Sequence, residues 1–255
     1  MKLALSVAAA GLALCAGALA IGPSAAEHAR VADALKDPRR PADQLAADAR
    51  RKPAAVIAFL GLKPGDKVAD FMPGEAYFTR LFSDVVGPNG RVYAVLSAEM
   101  ERHCLPAEFA GTHVVQHDAS YRNVRVSSLP VMKFAAPAPL DAVFTAQNYH
   151  DLHDKMNEGA DVVAVNRAVF AALKPGGVYV VLDHAAEPGS GVRDTERLHR
   201  IDPAAIRREA EAAGFVFAGE SDALRNAADD HAKLVFDPRI RGRTDQVMLK
   251  FRKPA

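Results

Sequence analysis

The chain has 255 residues, of which 49% are hydrophobic and 25% are charged, a balance that is ordinary for a globular protein of one or two domains. The 32 Lys and Arg residues nearly balance the 31 Asp and Glu residues, so the composition gives no basic footprint for binding nucleic acid. Two cysteines cannot build a disulfide framework, and the absence of tryptophan excludes an indole-lined site for a sugar or lipid.

Residues 1–26 are predicted to be a secretory signal peptide. Lys2 is the only charged residue before Glu27, and an apolar run rich in Ala and Gly follows it, with small residues at the candidate cleavage sites. An uncleaved membrane anchor is the alternative, because residues 3–21 are just long enough to span a bilayer. We therefore expect a periplasmic or secreted protein that meets a membrane only through this segment.

Residues 27–60 are predicted to form N-terminal helices, and residues 61–255 to form an α/β domain. Strands are expected at 67–71, 91–96, 113–116, 141–146, 178–183, 215–218 and 246–251, helices at 77–86, 161–173 and 203–213, and a loop at 119–139. This alternation indicates a mostly parallel sheet with helices on both faces. Such sheets bind ligands at the carboxyl ends of their strands, and nearly all the candidate chemistry falls there.

The loop after the first predicted strand, Asp70 to Tyr77 (DFMPGEAY), leads directly into a helix. Gly74 and Ala76 are small enough to let a nucleotide-like ligand approach the backbone and the helix N-terminus. A plain turn between a strand and a helix is the alternative for these residues alone.

Two stretches of the chain resemble motifs of class I S-adenosylmethionine-dependent methyltransferases. They are KPGDKVADFMPGEAYFTRLFSDVVGPNGRVYAV at 63–95 and ALKPGGVYVVLDH at 172–184. The chain is most similar to a group of predicted exported bacterial methyltransferases, through the segments QNYHDLHD, LHRID, GFVFAGESDALRN and DDHAKLVFDPRIRGRTDQ, and the resemblance covers nearly all of residues 28–253. It implies a Rossmann-like methyltransferase fold, with a seven-stranded, mostly parallel sheet whose antiparallel last strand is inserted beside strand six.

The resemblance also implies that S-adenosylmethionine is the cofactor. It implies that Asp70 and Gly74 border the methionine part, and that Asp118, with Ala119 after it, lies where an acid often accepts the adenine amino group. A helix or turn cap is the alternative for Asp118. The expected cofactor contacts are Asp70, Gly74, Glu75, Ala76, Glu99, Asp118, Ala119 and Asn148.

The chain departs from the resembled pattern at two positions. Glu75 stands where the group usually has glycine, and it adds a negative charge that either repels the cofactor carboxylate or faces the cofactor's positive charge. The second predicted strand ends at Leu96, where an acid usually holds the ribose, so Glu99 would have to substitute for that acid.

The segment 147–154 follows the fourth predicted strand, where this fold brings the methyl acceptor to the cofactor. We expect Tyr149 or His150 to orient or deprotonate an acceptor hydroxyl or amine. A helix start capped by Asn148 or Asp151 is the alternative.

The same segment also has the spacing of metal ligands, because His150 and His153 are separated by about one helical turn. Further ligands would come from Asp151, Asp154 and His184. We expect contacts to the cofactor and the acceptor here, and no metal site.

A second polar segment, LHRID at 198–202, precedes a predicted helix. His199 and Arg200 are candidates for binding an anionic acceptor, and Asp202 is a candidate helix cap. The charged stretch 221–244 is long enough to be a lid over the site.

The predicted function is therefore that of an exported S-adenosylmethionine-dependent methyltransferase acting on a small-molecule acceptor. The alternative is a catalytically weak or inactive exported Rossmann-like domain that binds another ligand, which the departures at Glu75 and Leu96 favour. A nicotinamide-dependent oxidoreductase is a third interpretation, and the lack of a G-x-G-x-x-G loop counts against it. The fold alone does not choose between these functions.

Overall fold

The structure is a computed structural model that describes residues 25–255. The predicted signal peptide lies outside the described residues, apart from its last two positions. Within 25–255, no helix combines the length and the apolar character needed to cross a membrane.

Seven strands form one mixed sheet in the described chain. They are β1 Lys67–Phe71, β2 Arg91–Ser97, β3 Val124–Leu129, β4 Leu140–Ala146, β5 Leu173–His184, β6 Val216–Ser221 and β7 Gln246–Arg252. Their order is β3-β2-β1-β4-β5-β7-β6, and β7 runs antiparallel to both of its neighbours. The expected Rossmann-like methyltransferase fold is confirmed, including the last strand inserted beside the sixth.

Helices cover both faces of this sheet. They are α1 Ala25–Leu35, α2 Ala42–Arg51, α3 Pro53–Leu60, α4 Tyr77–Val86, α5 Ala98–His103, α6 Ala110–His117, α7 Val162–Ala172, α8 Thr195–Leu198 and α9 Pro203–Ala212. Helices α2, α3 and α4 share a hydrophobic core with one face of the sheet, and α7 and α9 share a core with the other.

Helix α4 illustrates how the sequence forms these layers. Phe78, Leu81, Phe82 and Val85 recur at helical spacing and are all buried, while Gly87 closes the helix with a positive φ of 67°. The ring of Phe78 lies 4.8 Å from that of Phe144 on β4, in an edge-to-face arrangement. Burial of each such side chain contributes about 1.5–3 kcal/mol, so the hydrophobic stripe fixes the helix against the sheet.

The third strand lies where the sequence predicted a loop. Residues 113–116 were expected to be a strand, and this prediction is wrong, because they belong to α6, which buries Val115 and exposes Val114. The true third strand, β3, is at the edge of the sheet and pairs only with β2. An edge strand needs no continuous apolar run, and Val124–Leu129, of which only the first residue is buried, therefore lacked the signal of a central strand.

Candidate active site

A cleft of about 510 Å³ opens at the carboxyl ends of β1, β4 and β5, where the strand order reverses. We call it the carboxyl-end cleft. Its lining includes Arg51, Gly74, Glu75, Met100, Asn148, His150, His184 and His199. Of the predicted contacts, it includes Gly74, Glu75, Asn148 and His150, but not Asp70, Ala76, Glu99, Asp118, Ala119 or Tyr149.

The loop between β1 and α4 borders the cleft in a constrained conformation. Met72, Gly74 and Ala76 all have left-handed backbone angles, with φ values of 59°, 54° and 57°. Such a conformation costs a non-glycine residue roughly 1–2 kcal/mol, so the loop depends on its surroundings. One support is the hydroxyl of Thr112, which donates to the carbonyl oxygen of Gly74 at 2.7 Å. Ala76 is fully buried beneath the loop.

Glu75 borders the cleft but uses its carboxylate to hold α6. The carboxylate accepts a hydrogen bond from the backbone N–H of Gly111 at 2.8 Å. Its main-chain carbonyl accepts from Arg80 at 2.8 Å and from Gln44 at 2.9 Å. Glu75 therefore joins α2, α4 and α6, a structural role that the sequence interpretation did not foresee.

Arg51 is a functional candidate that the sequence interpretation missed. It comes from the end of α2, and its guanidinium lies 4.3 Å from the centre of the Tyr77 ring and 5.1 Å from that of Phe78. It makes no hydrogen bond or ion pair with another residue of the described chain. Burial lowers the pKa of Arg51, yet an arginine keeps its charge at physiological pH. The cleft therefore contains a guanidinium whose N–H groups have no partner among the described residues, while the carboxylates of Asp70 and Asp48 act on its charge at longer range.

Asp70 supports the cleft from below and does not line it. Its carboxylate is buried and accepts a hydrogen bond from the Thr79 hydroxyl at 2.6 Å. Burial raises the pKa of Asp70 to about 6, because the surrounding core disfavours the charged form more than Thr79 stabilises it. The expected direct contact with the methionine part of a cofactor is thus not available to this carboxylate.

Asn148 connects two strand ends at the floor of the cleft. Its amide nitrogen donates to the carbonyl oxygens of Met72 and Ala146, each at 2.7 Å. The amide oxygen is then the group of Asn148 that remains for a ligand.

The end of β2 carries no acid that faces the cleft. Glu99 accepts from the backbone N–H of Val131 at 3.1 Å and from the Ser97 hydroxyl at 3.2 Å, so its carboxylate closes a local contact. Met100 and Leu105 line this side of the cleft instead. The expected substitution of Glu99 for a ribose-binding acid therefore has no support in the geometry.

Asp118 and Ala119 lie at the amino ends of the strands, on the side of the sheet opposite the carboxyl-end cleft. They precede β3, and the Asp118 carboxylate caps a 3-10 turn by accepting from the backbone N–H of Ser120 at 2.7 Å. This hydrogen bond lowers the pKa of Asp118. Ala119 lines a separate groove of about 670 Å³, together with Arg91 and Arg125. We call this the amino-end groove; the adenine contact expected of Asp118 rested on the misplaced third strand and is corrected to a turn cap.

Tyr149 faces the core of the protein, away from the carboxyl-end cleft. Its hydroxyl donates to Glu209 at 2.9 Å and accepts from Asn166 at 2.7 Å. Burial, with Glu209 beside it, raises the pKa of Tyr149 well above its usual value. His153 turns to the same Glu209 carboxylate at 3.3 Å, so it does not join His150 as the metal-ligand spacing suggested. A catalytic role for Tyr149 is therefore not compatible with its position.

His150 is the predicted catalytic residue that does reach the cleft, and it lies within a buried polar cluster. Its Nδ1 is 2.8 Å from a carboxylate oxygen of Asp183, whose other oxygen accepts from the His150 backbone N–H at 2.7 Å. Its Nε2 is 3.1 Å from a carboxylate oxygen of Asp151 and 3.2 Å from Nδ1 of His199. His199 was expected to bind an anion, and it instead completes this cluster.

The histidines of the cleft differ in protonation. Burial alone would lower the pKa of His150, but the carboxylates of Asp183 and Asp151 outweigh it and raise that pKa well above its usual value. Burial would raise the pKa of Asp151, and the charge on His150 instead lowers it to about 2. Burial lowers the pKa of His184 to about 3, so this imidazole is neutral at physiological pH.

The last wall of the cleft comes from the charged stretch between β6 and β7. Val235 and Phe236 line the cleft, and the Phe236 ring centre is 5.1 Å from that of His199. Arg200 is fully buried and pairs with Asp229 at 2.8 Å, which attaches this stretch to α8. Arg200 is thus a structural anchor, and the expectation that it binds an anionic acceptor is corrected.

Solved structures with the same fold include enzymes of more than one reaction class. An S-adenosylmethionine-dependent methyltransferase from Aquifex aeolicus has 16% identity and a TM-score of 0.55, with 88% of this chain and 97% of that chain covered. One from Mesorhizobium loti has 15% identity and a TM-score of 0.53, with coverages of 78% and 96%. The [4+2]-cyclase SpnF has 16% identity and a TM-score of 0.59, with coverages of 81% and 82%. No protein-family model and no curated protein matches the chain.

Proposed function

We propose that the chain is an S-adenosylmethionine-dependent methyltransferase whose cofactor and acceptor meet in the carboxyl-end cleft. The observation that carries this proposal is Arg51, an unpaired guanidinium beside the left-handed loop at Gly74, in a cleft at the point where the strand order reverses. Fold neighbours that are methyltransferases support it, and the cyclase among them makes clear that the fold alone is not sufficient.

The residues of the cleft fit the methionine end of S-adenosylmethionine. Arg51 supplies a cation for a carboxylate, and the amide oxygen of Asn148 supplies an acceptor for an ammonium group. Gly74 has no side chain, and the nearest atom that a Cβ there would meet is the Glu108 carbonyl oxygen at 3.8 Å, so the space beside the loop is open. A volume of about 510 Å³ lies within the range of cofactor sites.

When bound, S-adenosylmethionine supplies a methyl group on a positively charged sulfur. The chain's own contribution is to hold the acceptor in line with that methyl group and to exclude water. His150 is held between the carboxylates of Asp183 and Asp151, so its ring fixes the wall of the site. Neutral His184 and partly exposed His199 are the imidazoles on that wall that remain to contact an acceptor.

The acceptor is proposed to be a small molecule, and the active form of the protein to be exported. The volume of the cleft and the balanced charge of the chain support a small acceptor, while the first 26 residues support export. Mass spectrometry of the protein from its native host tests export, with an N-terminus near residue 27 expected. An intact Met1 in the membrane fraction would mean an anchor, and it would leave the proposed chemistry untouched.

Transfer of a labelled methyl group tests the activity. The purified protein is incubated with methyl-labelled S-adenosylmethionine and a panel of small hydroxyl, amine and thiol acceptors, and labelled products are separated by mass. We expect transfer to at least one acceptor, with S-adenosylhomocysteine formed in equal amount. Binding of the cofactor without transfer to any acceptor, and without slow hydrolysis, favours the alternative of an inactive ligand-binding domain.

A further inference from the structure

We propose that the carboxyl-end cleft binds one divalent transition-metal ion, held by Nε2 of His150, a carboxylate oxygen of Asp151 and Nδ1 of His199. These three atoms come from the segment after β4 and from the end of α8. The proposal goes beyond methyl transfer, because the ion would bind whether or not the cleft also takes S-adenosylmethionine.

The spacing of the three atoms matches one coordination sphere. The distances are 3.1 Å from His150 to Asp151, 3.2 Å from His150 to His199, and 3.6 Å from His199 to Asp151. A tetrahedral ion with bonds of about 2.0–2.1 Å separates its ligand atoms by about 3.3 Å. The three observed separations lie on either side of this value, so one ion fits between the three atoms.

Asp183 supplies the support that a metal-binding histidine normally has. Its fully buried carboxylate lies 2.8 Å from Nδ1 of His150 and also accepts from the His150 backbone N–H. With a hydrogen kept on Nδ1, an ion that binds at Nε2 displaces the proton there into solvent, and the carboxylate behind the ring fixes the orientation of the imidazole. Asp183 is thus the positioning residue of the site.

Packing holds His199 in an unfavourable backbone conformation. It ends α8 in the left-handed conformation, with φ 51°, and its ring packs against Phe236 at 5.1 Å between centres. Asp151 and His150 are buried, whereas His199 is partly exposed and borders the opening of the cleft. The remaining coordination positions of an ion would therefore open to the cleft, as in sites that act on a ligand rather than stabilise a fold.

The ligand set indicates the class of ion. Two imidazoles and one carboxylate suit Zn²⁺, Fe²⁺, Co²⁺ or Mn²⁺, while Mg²⁺ and Ca²⁺ prefer oxygen ligands alone. The competing description has no ion, and a proton shared by His150, Asp151 and His199 then holds the cluster together. The two descriptions differ in a property that is measured directly, the affinity for an added metal.

The test uses the full chain with any affinity tag removed, stripped with a chelator and titrated with Co²⁺ and with Zn²⁺. We expect one ion per chain, and a visible Co²⁺ spectrum characteristic of a low-coordinate nitrogen and oxygen site. His199→Ala should weaken binding on the order of a hundredfold, and Asp183→Asn about 10–100-fold. His153→Ala is the matched control, because that imidazole lies in the same segment but faces Glu209, and it should bind like the wild type.

Two results would overturn the metal site. One is a wild-type chain that binds neither ion, and the other is a folded His199→Ala chain that binds them as tightly as the His153→Ala control. His199 is partly exposed, so its variant is expected to keep its circular dichroism spectrum. Titration of the stripped wild type with S-adenosylhomocysteine separates the proposals, since cofactor binding without metal binding rejects only this one.

Discussion

A concave surface lies at the carboxyl ends of the strands and another at their amino ends, and the two differ in the hydrogen bonds that their charged side chains make. The amino-end groove is the larger, at about 670 Å³ against about 510 Å³, and it is rich in arginine. Arg91 and Arg125 both donate to the carbonyl oxygen of Arg122, and Arg122 donates to that of Ala119, whereas Arg30 in the same groove makes no hydrogen bond with another described residue. At the carboxyl edge Arg51 has no such partner among the described residues. The carboxyl-end cleft is distinguished by its place where the strand order reverses, with Arg51 beside the Gly74 loop, and not by its volume.

Each edge also carries one of the aspartates that the sequence assigned to the cofactor. Asp70, at the carboxyl edge, is buried, and its pKa is raised to about 6. Asp118, at the amino edge, caps a turn, and its pKa is lowered. Neither lines the carboxyl-end cleft. Asp70 supports the loop from the core, and Asp118 closes a turn.

Asp70 is expected to give the largest effect, through the pH dependence of stability. An unfolded aspartate has a pKa near 3.9, so between about pH 6 and pH 4 the folded chain holds a proton here that the unfolded chain lacks. The contribution of Asp70 to stability therefore rises as the pH falls through that window, by about 3 kcal/mol in all.

Asp70→Asn keeps a partner for the Thr79 hydroxyl and removes this titration. Urea unfolding of the variant and the wild type at pH 4.5 and pH 7.5 measures the difference, with the variant expected to gain most at the higher pH. An unchanged difference between the two proteins across this range would contradict the buried, proton-linked role of Asp70.

Substituting Arg51 in the carboxyl-end cleft and Arg91 in the amino-end groove compares the two surfaces by their effect on ligand affinity. A charged hydrogen bond is worth about 1.5–3 kcal/mol, so Arg51→Met should weaken S-adenosylhomocysteine binding about 10- to 150-fold. Methionine keeps part of the apolar packing on Tyr77, and Arg91→Met is the control from the amino-end groove. Calorimetric titration of both variants decides the matter, and equal affinities would remove Arg51 from the site.

Glu75 tests whether the anomalous loop residue acts on structure or on binding. Glu75→Gln should destabilise the chain by about 1 kcal/mol, because the hydrogen bond to the Gly111 N–H becomes a weaker, uncharged one. The affinity for S-adenosylhomocysteine should change less than threefold. Chemical denaturation and calorimetry measure the two effects, and a large gain in affinity with no loss of stability would restore the repulsion interpretation.

A substitution at Asp118 is expected to have the smallest effect on cofactor affinity, because this residue lies far from the carboxyl-end cleft. Because its carboxylate caps a turn at the amino edge, Asp118→Ala should leave the affinity for S-adenosylhomocysteine within twofold of the wild type. A folded Asp118→Ala chain with much weaker binding would mean that the ligand reaches the amino edge.

The central fold was predictable because its strands are buried on both faces and its turns carry strong signals. The bounds of β1 and α4 were predicted to the residue, and the inserted β7 followed from the resemblance. The edge strand β3 was not, since Val124–Leu129 is largely exposed and lacks an apolar run. The adjacent residues Val114 and Val115 are β-branched and apolar, as in a strand, but they lie in α6, where only Val115 is buried.

The sequence predicted where the candidate site lies, at the carboxyl ends of the strands, but not which residues line it. His150 was found because it follows β4, whereas its neighbour Tyr149 points to the other side of the same turn, a choice that depends on tertiary packing. His199 and Arg51 reach the cleft from α8 and α2, far away along the chain, and only the fold brings them there. Each lies beside another basic residue near a helix end, Arg50 for Arg51 and Arg200 for His199, and such charged neighbours are common on solvent-exposed surfaces.

Calorimetric titration of the wild-type chain with S-adenosylmethionine and S-adenosylhomocysteine, with NAD as the comparison ligand, tests whether the carboxyl-end cleft is a methyltransferase site. We expect one site per chain for both sulfur compounds and no binding of NAD. S-adenosylhomocysteine should also stabilise the chain against chemical denaturation, by a free energy that grows with the logarithm of its concentration relative to its dissociation constant. Binding of neither sulfur compound by the folded chain would contradict a methyltransferase site in the carboxyl-end cleft.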